Sequence, residues 1–69
     1  MKEVDARGLS CPQPVILTAE AIKNGEFPFA VLADTVTARE NVTRIAKKKG
    51  CIVESRPDEK GFRMEIDKA

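Results

Sequence analysis

The sequence contains no histidine, tryptophan or tyrosine, and only two of its 69 residues are cysteine. Without histidine, the chain cannot itself form a Ser-His-Asp triad, a Cys-His pair or a histidine-ligated metal site. Cys11 and Cys51 are 40 positions apart, which excludes a CxxC redox motif, and two thiols are too few for a four-thiolate zinc site. We therefore expect no metal and no cofactor.

Glycine and aromatic residues are also scarce. The four glycines are scattered, so the chain contains neither a GxGxxG fingerprint nor a phosphate-binding P-loop. Three phenylalanines are the only aromatic residues, so the stacking platform of most proteins that bind single-stranded RNA is missing. We expect no stable complex with nucleic acid.

Long hydrophobic runs are absent as well. No apolar run approaches the roughly 20 residues of a membrane span, and the start at Met1–Asp5 lacks the apolar stretch of a signal peptide. We expect a cytoplasmic protein without membrane contact. The hydrophobic share of 42%, taken with the four glycines, is ordinary for a globular protein. The length predicts a single domain, residues 1–69.

The hydrophobic pattern predicts the element order βαβαββ. Strands are predicted at 2–6, 29–33, 51–56 and 62–67, with a hairpin loop at 57–61, and helices at 12–23 and from Thr37 to about Lys49. Because so little apolar surface is present, we expect an α/β two-layer sandwich, with both helices on one face of a mixed four-stranded sheet.

Each predicted helix has an inner face and end signals. Thr37 and Glu40 have the spacing of a capping box, and Gly50 is a C-terminal stop. The predicted inner faces are Val15, Ile16, Ala19 and Ile22 in the first helix, and Ala38, Val42, Ile45 and Ala46 in the second.

The stretch 5–14 is the most informative for chemistry. Cys11 is predicted at the N-cap of the first helix, where the partial positive charge of the helix end lowers a thiol pKa. Arg7 would add a second positive field, and Pro12 and Pro14 would fix the first turn. No partner base is evident, which favours a covalent sulfur carrier over a self-sufficient enzyme.

These residues resemble a known family. The segment 8–15 resembles the Cys-Pro-X-Pro signature of the TusA/SirA/YedF family of small sulfur carriers, and Asp5 and Arg7 match its Asp-X-Arg-Gly-Leu lead. A second match, 38–42 followed by a helix to Gly50, is similar to the YedF-like branch. The βαβαββ order agrees with the family fold.

The resemblance implies that Cys11 carries a persulfide. It implies a cysteine desulfurase as the sulfur donor and a downstream acceptor protein, on a route to thiolated tRNA, molybdenum cofactor, sulfur oxidation or selenium metabolism. Some relatives are fused to a DsrE-like domain, which makes a DsrE-like protein a further candidate partner. We expect a monomer. The residues implied to support the site are Asp5, Arg7, Gly8, Pro12 and Pro14.

Two alternatives depend on other features. The segment 37–53 carries a net charge of +4, so its helix is either a solvated basic face, a docking patch for an acidic partner, or part of an RNA-binding or regulatory module. Its basic residues are Arg39, Arg44, Lys47, Lys48 and Lys49. A thiol redox sensor would instead pair Cys11 with Cys51, although we expect Cys51 to pack in the core.

The segment after the second strand has two explanations. Asp34 and Thr35 either line the surface around Cys11, because loops after parallel strands cluster at one sheet edge, or only form a turn.

Overall fold

The computed structural model describes residues 1–10 and 12–69. Its elements are β1 (Lys2–Asp5), α1 (Gln13–Lys23), β2 (Phe29–Ala33), α2 (Val36–Lys48), β3 (Cys51–Asp58) and β4 (Gly61–Lys68). The predicted βαβαββ order is confirmed. The predicted hairpin loop at 57–61 is too long, because only Glu59 and Lys60 separate the last two strands. Pro57 is accommodated in β3 because this strand is at a sheet edge.

The four strands form one mixed sheet in the order β1-β2-β4-β3. β1 and β2 are parallel, with Val4 opposite Val31. β4 is antiparallel to both of its neighbours, with Met64 opposite Val31 on one side and Ser55 on the other. The parallel pair places the carboxyl ends of β1 and β2 side by side, and a helix follows each of these ends.

The core lies between the sheet and the two helices. The side chains of Phe29, Val31 and Ala33 alternate along β2 and meet Met64 and Ile66 of β4. Small residues of both helices complete the same cluster, namely Ala21 of α1 and Ala38, Val42 and Ala46 of α2. Both helices therefore lie on one face of the sheet, as predicted, and the inner face of α2 is confirmed, with Ile45 only partly buried.

The second face of the sheet carries charged side chains. Arg63 pairs with Glu3 of β1 and with Glu65 of its own strand, and Arg56 pairs with Glu54. The pair of Arg56 with Glu54 is exposed, and such pairs contribute only about 0–1 kcal/mol each. Ile52 alternates with core-facing Val53 and is 58% exposed.

The predicted inner face of α1 is only partly confirmed, because Ile22 packs against the core while the fully buried positions of the helix are others. Its buried residues are Pro14, Thr18 and Ala21, whereas Ile16 is 49% exposed. Thr18 is fully buried because its Oγ1 donates a hydrogen bond to the Pro14 carbonyl oxygen at 2.8 Å. A satisfied hydroxyl can enter a core, and hydrophobic spacing alone does not detect it.

Both predicted helix starts are also shifted. The N-cap of α1 is Pro12 rather than Cys11, which itself lies outside the described residues. The N-cap of α2 is Thr35, whose Oγ1 accepts a hydrogen bond from Ala38 N at 3.1 Å, so the Thr37 capping box is wrong. The predicted stop is confirmed, since Gly50 follows the C-cap of α2 with a φ of +81°.

Candidate functional site

The loop between β1 and α1 is tied to the edge of the sheet. We call residues 6–10 the motif loop. The amide of Ala6 donates to the Leu32 carbonyl oxygen at 2.8 Å, and the amide of Leu9 donates to the Ala6 carbonyl oxygen at 3.3 Å. Gly8 has a φ of +77°, which residues with a Cβ rarely adopt. The motif loop therefore turns sharply where the parallel strands end.

Asp34, directly after β2, reaches this loop. Its Oδ2 accepts a hydrogen bond from the Gly8 amide at 3.0 Å. A pocket of about 400 Å³ opens beside this contact, and its lining residues are 8–10, 14–15, 34–35, 37–38 and 41. Asp34 and Thr35 thus lie beside Ser10 and Pro14, as one of the two sequence hypotheses predicted.

Arg7 and Asp5 form a bidentate ion pair. Arg7 Nε lies 2.9 Å from Asp5 Oδ1, and Arg7 Nη2 lies 3.0 Å from Asp5 Oδ2. The hydrogen bonds from Arg7 lower the pKa of Asp5 to about 2. Because Asp5 compensates the charge of Arg7, the guanidinium is not the free positive field that the sequence predicted.

The first turns of both helices line the pocket. Pro14 and Val15 contribute from α1, and Thr37 and Ala38 contribute from α2. The amide of Gln13 donates to the Ser10 carbonyl oxygen at 2.9 Å, which joins the motif loop to the start of α1. Two helix N-termini, each with a partial positive charge, therefore meet at one site. The contribution of α2 was not predicted from the sequence, because it depends on the pairing of β1 with β2.

Other polar groups of the pocket are hydroxyls and one amide. Ser10, Thr35 and Thr37 supply the hydroxyls, and Asn41 supplies the amide. Within residues 1–10 and 12–69, no three His, Cys, Asp or Glu side chains are grouped closely enough to hold a metal ion. No described helix has the length and apolar character needed to cross a membrane.

Cys51 lies far from the pocket. It is partly buried and packs against the core, which confirms the sequence prediction. It begins β3, and Pro57 at the pocket end of the sheet is six positions further along the strand, a distance of about 20 Å. A disulfide needs Cα atoms within about 7 Å of each other, so Cys51 is too far away to pair with a thiol at the pocket.

The basic residues of α2 do not form one patch. The Arg39 guanidinium lies over the Phe62 ring, 4.7 Å from its centroid. Lys47, Lys48 and Lys49 are exposed at the C-terminal end of α2, about 16 Å from the first turn that lines the pocket. Cations at this end are favoured by the helix dipole, so the lysines have a local structural explanation.

Comparisons with known proteins agree with this architecture. Residues 2–68 match the family described as "Sulfurtransferase TusA". A protein of Methanocaldococcus jannaschii that bears the name of a sulfur carrier protein is 35% identical over 71 residues, which cover 99% of this chain and 95% of that protein. A protein of Archaeoglobus fulgidus with the same kind of name is 36% identical over 52 residues, which cover 72% of this chain and 68% of that protein.

A solved structure shows the same fold. The crystal structure of a SirA-like protein from Desulfitobacterium hafniense superimposes with a TM-score of 0.82 at 28% sequence identity. The superposition covers 96% of this chain and 93% of that one. Sequence and fold agree over almost the whole length, and the chain therefore belongs to the TusA sulfurtransferase family.

Proposed function

We propose that the protein is a persulfide carrier that accepts sulfane sulfur on Cys11 and passes it to a second protein. The observation that carries the proposal is the shared pocket, which the motif loop and the first turns of α1 and α2 form. Its lining includes Ser10, which directly precedes Cys11 in the sequence. Two helix N-termini at one site favour an anion such as a thiolate. The names of the two similar archaeal proteins support the same role.

The transfer needs no cofactor and no net oxidation. The Cys11 thiolate attacks the outer sulfur of a persulfide on the donor, and the donor cysteine leaves as a thiolate when its S–S bond breaks. Cys11 then holds the new S–S bond. In the second step, a thiolate of the acceptor attacks the outer sulfur of this persulfide, and Cys11 leaves as a thiolate.

The supporting residues have separate roles in this proposal. Gly8 makes the turn that brings the chain back toward α1, and Pro12 and Pro14 stiffen the first helical turn. Asp5 and Arg7 form a neutral pair that holds the entry to the motif loop.

The partners in this proposal are a cysteine desulfurase as the donor and a cytoplasmic acceptor protein. The acceptor is a thiol protein on a route to thiolated tRNA or selenium metabolism, and a DsrE-like protein is one candidate. The resemblance of residues 38–42 to the YedF-like branch motivates the selenium route.

Intact-protein mass spectrometry tests the proposal. After incubation with a cysteine desulfurase and cysteine, the protein should gain the mass of one sulfur atom, and dithiothreitol should remove it. Cys11→Ser should abolish this gain. Cys51→Ser is the matched control and should load as the wild type does, since Cys51 lies at the opposite end of the sheet. Equal loading of the Cys11→Ser variant would contradict the proposal.

A further inference from the structure

We infer that Asp34 is a positioning residue of the transfer site, which holds the motif loop through a carboxylate hydrogen bond. The relevance of this bond to sulfur transfer rests on the function proposed above. The bond itself joins Asp34 Oδ2 to the Gly8 amide at 3.0 Å and connects residues 26 positions apart.

The bond holds the middle of the loop. On one side, Ala6 is anchored by its amide to the Leu32 carbonyl oxygen, and on the other, Ser10 is anchored by the Gln13 amide. Gly8 lies between these anchors in a left-handed conformation, with its amide directed at Asp34. Loss of this acceptor would remove the hydrogen bond between Gly8 and the segment that joins β2 to α2. The motif loop would then open more often by local unfolding.

The backbone of Asp34 is itself held in place by β4. A Cβ on Gly61 would overlap the Ala33 carbonyl oxygen and would lie 2.8 Å from the Asp34 Cα. The first residue of β4 therefore packs directly against the Ala33–Asp34 peptide, which only glycine permits. The contact fixes the backbone from which the Asp34 side chain reaches Gly8.

A purely electrostatic role is the competing explanation. The hydrogen bonds with Asp5 are the main cause that raises the pKa of Arg7, and the charges of Asp58 and Asp34 add to it. Asp58, however, accepts a hydrogen bond from Glu59 N and none from the motif loop within the described residues. Asp58→Asn thus removes a nearby negative charge without touching the loop, and it is a matched control. Asp34→Asn removes the charge and keeps a carbonyl acceptor, whereas Asp34→Ala removes both.

The experiment compares these three variants with the wild type. NMR hydrogen exchange measures protection of the Gly8 amide, and iodoacetamide labelling near neutral pH measures the reactivity of Cys11. Asp34→Ala should speed exchange of the Gly8 amide about fivefold, because it removes a charge-assisted hydrogen bond. It should also slow labelling of Cys11 about threefold, because the motif loop that precedes this residue in the sequence loses its hydrogen bond to Asp34. Asp34→Asn should stay within about twofold of the wild type in both measurements, and Asp58→Asn should change neither.

Two other results would overturn the inference. If Asp34→Asn and Asp34→Ala both speed the labelling of Cys11 equally, the residue acts through its charge alone. If neither variant changes Gly8 exchange, the hydrogen bond does not hold the loop. Asp34→Ser, whose side chain is too short to reach Gly8, should repeat the result of Asp34→Ala and provides a second variant. Neither measurement involves sulfur loading, so failure of the proposed function would leave this test intact.

Discussion

The thin core makes one pair of substitutions especially informative. Met64 and Ile52 are both large apolar residues in adjacent strands, but Met64 is fully buried beneath the helices while Ile52 is 58% exposed on the opposite face. Met64→Ala should cost about 2–5 kcal/mol, the usual range for Met→Ala in a core. A domain of this length has a total stability of roughly 3–10 kcal/mol. Ile52→Ala should cost no more than about 1 kcal/mol.

Urea unfolding followed by circular dichroism measures both costs. Met64→Ala should lower the unfolding midpoint strongly, and its melting temperature should fall by about 10 °C or more. Ile52→Ala should stay close to the wild type at every protein concentration, as expected of a monomer. Equal costs for the two variants would refute the two-layer argument. A cost of Ile52→Ala that grows as the protein is concentrated would show that a second copy covers the charged face.

Three further predictions concern the site and the charges. Brief iodoacetamide treatment followed by peptide mapping should label Cys11 faster than Cys51, because Cys11 directly precedes the N-cap of α1 in the sequence whereas Cys51 begins β3. Preferential labelling of Cys51 would contradict this. The pKa of Asp5 is about 2 in the folded protein, against 3.8 for a carboxyl group without partners. The pair with Arg7 therefore stabilises the fold above pH 3.8, and this effect is lost as the pH falls through about 2. The difference in urea midpoint between wild type and Asp5→Asn should therefore shrink over this range. If the lysines at the end of α2 dock an acidic partner, reversal of Lys47, Lys48 and Lys49 to Glu should slow association in stopped-flow measurements and leave the labelling rate of Cys11 unchanged. Unchanged association would assign these lysines to the solvated end of the helix.

Local patterns predicted most of the fold. The apolar run 29–33 is a fully buried strand, and the spacing of Ala38, Val42 and Ala46 identified the inner face of α2. Prediction failed where one polar group was satisfied inside the core. The hydrophobic spacing did not include Thr18, whose hydroxyl donates a hydrogen bond to the Pro14 carbonyl oxygen. The apolar spacing in α1 therefore pointed to a face that is only partly buried.

The candidate site was also predicted only in part. Residues close together in sequence could be identified in advance, including the turn at Gly8 and the two prolines. The contacts that join distant segments could not, because the bond from Gly8 to Asp34 crosses 26 positions and depends on the register of β1 with β2. The approach of Gly61 to Asp34 depends in addition on the pairing of β2 with β4.

The parallel pairing of β1 and β2 explains how a chain without histidine could favour a thiolate. Parallel neighbours end at the same sheet edge, so the helices that follow them begin side by side. Asp5 already compensates Arg7, and the exposed lysines of α2 lie at its far end. Side-chain cations are therefore poor candidates for lowering the pKa of a thiol in the motif. The first turns of α1 and α2 line the pocket, and their backbone dipoles are the charges that the fold itself directs there. In the proposed carrier, we expect activation of Cys11 to depend on the topology of the sheet more than on any single basic residue.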